Sequence, residues 1–107
     1  KIWDIAVGNN FDAFFCAHEH IYYRWNVDKA AYPAAPGKLT QILTGTAGAV
    51  PDSPANLKAN ADGRIYFGYN YVVVDVNENN ITEQTYAVTK SGTSYTTQLI
   101  DIELVIK

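Results

Sequence analysis

The chain has 107 residues, of which 48% are hydrophobic and 18% charged, and its formal net charge is -3. Such a length supports one domain at most. The eight basic residues are scattered along an acidic chain, which argues against a nucleic-acid surface because phosphate binding needs clustered Lys and Arg. No apolar stretch of about 18 or more residues is present to span a membrane. The composition predicts a globular fold or part of one.

A short helix is predicted at residues 1–9. Ile2, Ile5 and Ala6 recur at helical spacing, and Gly8 supplies a residue that commonly ends helices. So short a helix is unstable alone. Since the chain also begins without methionine or a signal-like segment, we expect residues 1–107 to be a C-terminal fragment of a longer protein.

An apolar strand is predicted at residues 11–17, directly before the two histidines of the chain. Its nearly continuous apolar character is typical of a strand covered on both faces in an α/β sheet. If extended geometry continues, His18 and His20 project to the same side, with Cα atoms about 6 to 7 Å apart. Two imidazoles so placed can serve one metal or a binuclear hydrolytic site. Alternatively, they are merely hydrogen-bonded histidines at a strand end.

Residues 10–24 resemble the Gly-His-x-His segment of calcineurin-like metallophosphoesterases, and most closely that of the purple acid phosphatase branch. That branch typically reads Gly-His-x-His-x-Tyr-Glu-Arg. Four positions match it: His18, His20, Tyr22 and Arg24. Two positions differ, with Ala17 in place of the glycine and Tyr23 in place of the glutamate. Residues 39–48 and 67–69 are similar to the segments that follow in the family.

The resemblance implies an α/β fold, of which this chain is the C-terminal, strand-rich part of the two-sheet sandwich. It also implies that the intact parent protein hydrolyses phosphate esters with water activated by two ions of iron, zinc or manganese. His18 and His20 would each ligate one metal, and Tyr22 and Arg24 would contact the phosphate ester. The family's other ligands lie upstream, in the missing N-terminal part of the domain.

Two further expectations follow from the resemblance. Without the upstream ligands, the 107-residue chain alone is expected to be inactive. The family resemblance also favours a secreted or extracytoplasmic location.

Other interpretations of these residues stay open. Tyr22 is also typical of an aromatic residue that fills the edge of a core. Arg24 could form a structural ion pair instead of binding phosphate. Cys16 is interpreted as a small core residue. The acidic residues Asp75 and Glu83, together with Asp62, show no metal-ligand spacing and are expected to be solvated.

The remainder of the chain predicts loops and strands. Residues 26–38 are interpreted as a loop, and 39–45 as a strand that ends in a glycine-containing turn beside the site. An irregular stretch at 51–63 precedes a long central strand at 65–76. Asn77–Asn80 predicts a hairpin leading into a strand at 80–88. After a loop at 90–94, residues 99–106 alternate as an edge strand, with apolar side chains on one face and Asp101 and Glu103 on the other.

A rival hypothesis is a non-catalytic, β-rich carbohydrate-binding or interaction module. Its eight tyrosines would serve the binding surface, and its histidines would be incidental.

Overall fold

The computed structural model describes residues 2–27, 33, 39–53 and 64–106. In these residues the chain forms a helix, α1 (Ile2–Gly8), and the strands β1 (Ala13–Cys16), β2 (Tyr22–Val27), β3 (Leu39–Thr44), β4 (Arg64–Tyr66), β5 (Asn70–Val76), β6 (Asn80–Ser91) and β7 (Ser94–Ile106). The strands make two sheets, in the orders β1-β3-β2-β4 and β5-β6-β7. The predicted strand-rich architecture with two sheets and little helix is confirmed at this level. None of the described helices has the length and apolar character needed to cross a bilayer.

The first sheet is mixed and carries the helix on one face. Strand β1 runs parallel to β3, and β2 pairs antiparallel with both β3 and β4. Ala6 and Val7 of α1 are buried against Val27 and Leu39. Trp3 packs edge-on against Trp25, with the ring centroids 6.3 Å apart. This contact anchors the helix to β2.

The helix meets the sheet through the face of Trp3 and Ala6, and Ile2 and Ile5 are exposed. One expectation for this sheet is wrong. Strand β1 is not covered on both faces by the described residues, since Phe15 is exposed. Lying at the edge of the sheet, β1 has fewer neighbours than a central strand has.

Strand β2 was not expected, since residues 26–38 were interpreted as a loop that begins inside it. Its run from Tyr22 to Val27 pairs with β3 along its whole length. Apart from Pro33, the remainder of that expected loop lies outside the described residues, as does the stretch at 54–63.

The long strand expected at 65–76 is two strands in different sheets. The extended strand is interrupted at residues 67–69, where the chain passes from the first sheet, which contains β4, to the second sheet, which contains β5. A Cβ atom on Gly68 would lie 2.6 Å from the hydroxyl of Tyr66, so the glycine allows the Tyr66 side chain to fold back over the break. Strand β5 is therefore an edge strand and not a central one, and its Tyr71 and Val73 side chains are exposed.

The second sheet is an antiparallel meander. In its first hairpin, the side-chain oxygen of Asn77 accepts hydrogen bonds from the backbone N–H groups of Asn79 and Asn80 at 2.8 and 2.9 Å. This confirms the hairpin predicted at Asn77–Asn80. The loop expected at 90–94 is a tight turn with Gly92 at a φ of 61°. The flanking strands consequently extend to Ser91 and from Ser94.

In strand β7 the face that carries Asp101 points inward, the reverse of the usual arrangement. Asp101 is buried on this face, and Val105, four residues further along on the same face, is 7% exposed. On the opposite face, Leu104 is 52% exposed and Ile102 is also exposed. Glu83 of β6, expected to be solvated, is fully buried on the same inner face. Asp75 is exposed as predicted, and Asp62 lies outside the described residues.

This orientation can be tested with matched truncations. Val105→Ala removes two buried methyl groups and should lower the free energy of unfolding by about 1 to 2 kcal/mol. Val76→Ala makes the same deletion at an exposed position and should cost much less, about 0.5 kcal/mol or below. Urea denaturation of both variants measures the difference. A larger loss in Leu104→Ala than in Val105→Ala would contradict the orientation.

Candidate functional site

The two histidines lie in a turn between β1 and β2, residues 17–21, which we call the histidine turn. His18 adopts a φ of 96°, so extended geometry stops there. The expectation that His18 and His20 project to one side of a continuing strand is therefore wrong in its premise. The His18 side chain is exposed, and that of His20 is partly buried.

His20 forms three hydrogen bonds with the segment that follows β3. Its Nδ1 atom lies 2.9 Å from the carbonyl oxygen of Val50. Its backbone N–H donates to Oδ2 of Asp52 at 2.7 Å, and the N–H of Asp52 donates back to the His20 carbonyl at 2.9 Å. Since a carbonyl can only accept, the neutral ring carries its hydrogen on Nδ1 and leaves a lone pair on Nε2. That nitrogen can act as a metal ligand or as a base.

Gly45 brings the end of β3 directly against the histidine turn. Its N–H donates to the carbonyl oxygen of Ile21 at 3.1 Å. A Cβ atom at this position would lie 2.0 Å from the carbonyl oxygen of Glu19, so only glycine fits. The glycine segment is thus a turn beside the site, as predicted.

Asn70, at the start of β5, fastens the same segment to the second sheet. Its carboxamide donates to Oγ1 of Thr46 and to the carbonyl oxygen of Gly68, the latter at 2.9 Å. Its oxygen accepts from Oγ1 of Thr44 at 3.2 Å. Both Thr46 and Asn70 are buried. The loop after β3 is therefore held by the histidine turn at Gly45 and by the second sheet at Thr46.

Arg24 is buried between the two sheets and forms ion pairs with strand β7. Its Nε and Nη2 atoms donate to the two carboxylate oxygens of Asp101, at 2.6 and 3.2 Å. Its Nη1 atom lies 2.9 Å from Oε2 of Glu103. The structural ion pair considered for Arg24 is thus formed, and its contact with a substrate stays a prediction.

Tyr22, also buried, adds its hydroxyl to this group. The hydroxyl lies 2.8 Å from Oδ2 of Asp101 and 3.2 Å from Oε1 of Glu83. Thr85 also hydrogen-bonds Oε1 of Glu83. We call Tyr22, Arg24, Glu83, Thr85, Asp101 and Glu103 the inter-sheet cluster. The predicted contact of Tyr22 with a substrate likewise remains untested.

Burial governs the ionisation of the cluster. It raises the pKa of Glu83, and the charge of Asp101 raises it further against the opposing hydrogen bond from Thr85. Burial also raises the pKa of Tyr22. Burial lowers the pKa of Arg24, but the hydrogen bond and charge of Asp101, with the charge of Glu103, outweigh it and leave the pKa raised. Burial thus favours the neutral, protonated form of the Glu83 carboxyl group.

The hydrogen bonds agree with a neutral Glu83. The Tyr22 hydroxyl has one hydrogen, and its shorter contact is with Asp101. A protonated Glu83 can donate its own hydrogen to the Tyr22 oxygen, whereas a carboxylate would face that oxygen without a shared hydrogen.

In the described part of the chain, no three side chains of His, Cys, Asp or Glu are grouped so as to hold a metal ion. Cys16 is a free thiol whose Sγ lies 3.5 Å from Nε2 of Gln41. His18 and His20 therefore supply two imidazoles without a third ligand from these residues.

Comparisons with known proteins give no further constraint. No family model, curated protein or solved structure matches this chain. The metallophosphoesterase resemblance therefore stays a prediction from residues 10–24.

The close approach at Gly45 yields a stability test. Gly45→Ala places a methyl group against a backbone oxygen that cannot move away independently, and should destabilise the fold by about 2 kcal/mol or more. Gly8→Ala is the matched control, because open space surrounds that position and alanine favours a helix by up to about 1 kcal/mol. Urea unfolding of each variant gives the comparison. Equal stabilities would disprove the contact.

The buried Glu83 yields a pH test. Because its folded-state pKa is raised above the ordinary value of 4.5, it favours the folded state below that value, and this contribution is lost as the pH rises through the folded pKa. Glu83→Gln mimics the neutral acid and should flatten this dependence. The free energy of unfolding of the variant, relative to that of the unaltered chain, should therefore be higher at pH 8 than at pH 5. Urea unfolding across this range measures it, with Glu78→Gln as the exposed control. A steeper decline in the Glu83 variant would refute the assignment.

Proposed function

We propose that this chain is the C-terminal, strand-rich part of a calcineurin-like metallophosphoesterase domain, closest to the purple acid phosphatases. In the intact parent protein it would contribute His18 and His20 to a binuclear metal site that hydrolyses phosphate esters. The observation that carries the proposal is the fixed ring of His20, whose Nδ1 atom meets the Val50 carbonyl at 2.9 Å. The match of residues 18–24 to the family pattern adds to it.

The geometry of His20 suits a metal ligand. Ligating imidazoles commonly donate their second nitrogen to a carbonyl or carboxylate, which fixes the tautomer and the orientation of the ring. Val50 provides that acceptor, and Asp52 fixes the backbone of the same residue. The exposed His18 lies in the same turn. These two residues fit as part of a ligand set, though not as a whole one.

The remaining ligands must come from elsewhere in the parent domain. Bound ions of iron, zinc or manganese would supply Lewis acidity and lower the pKa of water at the site. The contribution of this chain is to hold the imidazoles in place through the histidine turn and its contacts with residues 45–52. The proposed extracytoplasmic location rests on the family resemblance alone.

Tyr22 and Arg24 act, in this proposal, chiefly as positioning residues. Both are buried, and both face carboxylates of the second sheet. They fix strand β2, which begins directly after the histidine turn. The substrate contacts predicted for them receive less support than the metal role of the histidines.

The proposal predicts a joint loss of metal and activity. In the intact parent protein, His20→Ala and His18→Ala each remove an imidazole ligand and should lower bound transition metal. Hydrolysis of a chromogenic phosphomonoester should fall at least about 100-fold in parallel. Metal analysis and steady-state kinetics of the purified variants measure both quantities.

Two controls accompany this experiment. Tyr23→Phe, at the position that differs from the family pattern, should leave metal content and turnover within a few-fold of the parent. The isolated 107-residue chain should show no turnover with added zinc, manganese or iron. Unchanged metal content in both histidine variants would instead favour the non-catalytic binding module.

A further inference from the structure

A cleft of about 570 Å³ opens where the loop after β3 meets the start of β5 and the β6–β7 hairpin. Its volume lies in the range of small-molecule sites. Three exposed tyrosines line it: Tyr69, Tyr71 and Tyr95. The ring of Tyr71 is held in place by stacking on Tyr86, with the centroids 5.2 Å apart and the planes inclined by 15°. We call this site the tyrosine cleft.

The tyrosine cleft carries a positive charge although the chain is acidic overall. Lys90 is the charged residue among its described lining residues. Its Nζ atom lies 5.7 Å from the ring centroid of Tyr95, its partner across the β6–β7 ladder. An ammonium group beside aromatic rings favours a ligand with an apolar body and an anionic group.

The buried polar side chains of the described lining, Thr46 and Asn70, are already hydrogen-bonded. The carboxamide of Asn70 donates to Thr46 and Gly68 and accepts from Thr44. Besides Lys90, the described lining offers a ligand the side-chain hydroxyls of the three tyrosines. These are fewer partners than a hydroxyl-rich sugar requires, and each sugar hydroxyl buried without a partner costs free energy. A flat aromatic ring requires no such partners. The lining therefore favours an aromatic ligand over a carbohydrate.

We propose that the tyrosine cleft binds a small planar aromatic molecule bearing one anionic group, a carboxylate or a phosphate. Its ring packs against the tyrosine rings, and its anionic group pairs with the Lys90 ammonium. This inference goes beyond the proposed phosphoesterase function and requires none of its metal chemistry, since Lys90 and the three tyrosines that would contact the ligand lie outside the histidine turn.

Binding to the full 107-residue chain can be measured by calorimetry and by amide chemical shifts. The probes are 1-naphthoate, 1-naphthyl phosphate, the neutral 1-naphthalenemethanol and the disaccharide maltose. Both anions should bind more tightly than the neutral alcohol, with shift changes centred on Thr46, Lys90 and Tyr95. Preference for one anion identifies the group that the cleft selects. Tighter binding of maltose, equal binding of the neutral alcohol, or no binding of any probe would overturn the proposal.

Two variants test the contacts separately. Lys90→Gln should weaken both anions about five- to tenfold and leave the neutral alcohol unchanged. Tyr95→Ala, at a side chain that is 68% exposed and so dispensable for folding, should weaken all three aromatic probes about three- to tenfold.

Matched controls lie outside the cleft. Arg64→Gln removes one exposed positive charge, and Phe11→Ala removes one exposed ring. Both should bind the probes as the unaltered chain does. Equal weakening by a control and by its matched variant would show that the effect is not local, and would refute the assignment.

Discussion

The pairing of Arg24 with Asp101 determines how the two sheets meet. The guanidinium of β2 reaches both oxygens of a carboxylate on β7, and Glu103 adds a second anion at 2.9 Å. Removing one partner of a buried ion pair leaves an uncompensated charge that costs about 3 to 5 kcal/mol. Strand β2 is therefore held in one position relative to β7. The histidine turn ends where β2 begins, so its position follows from that of the ion pair.

One segment, residues 45–52, joins the two sites of the molecule. Gly45 contacts the histidine turn, and Val50 and Asp52 hold His20. Between these residues, positions 46–48 line the tyrosine cleft. Asn70 fastens the near end of the segment to the second sheet. The orientation of the His20 ring and the shape of the tyrosine cleft consequently both depend on the backbone of residues 45–52.

Local signals in the sequence predicted some of the elements, and long-range contacts decided the others. The helix and the Asn77–Asn80 hairpin were predictable because their stop and turn residues act on their own neighbours. The alternation in β7 indicates two faces but not which one points inward. Arg24, 77 positions away from Asp101 in the chain, makes the polar face the buried one. Similarly, the break at Gly68 depends on a sheet exchange that residues 65–76 do not signal locally.

The surroundings of the two histidines were predicted only in part, for a related reason. The sequence singles out His18 and His20 by residue type and spacing, whereas the Val50 carbonyl that orients the His20 ring is a backbone group with no sequence signature. The φ of 96° at His18 was equally invisible, because non-glycine residues seldom adopt such values, at a cost of about 1 to 3 kcal/mol. Such a conformation persists only where neighbouring contacts impose it. Asp52, Val50 and Gly45 provide these contacts on the C-terminal side of the turn, so the strained backbone at His18 and the fixed ring of His20 are parts of one arrangement.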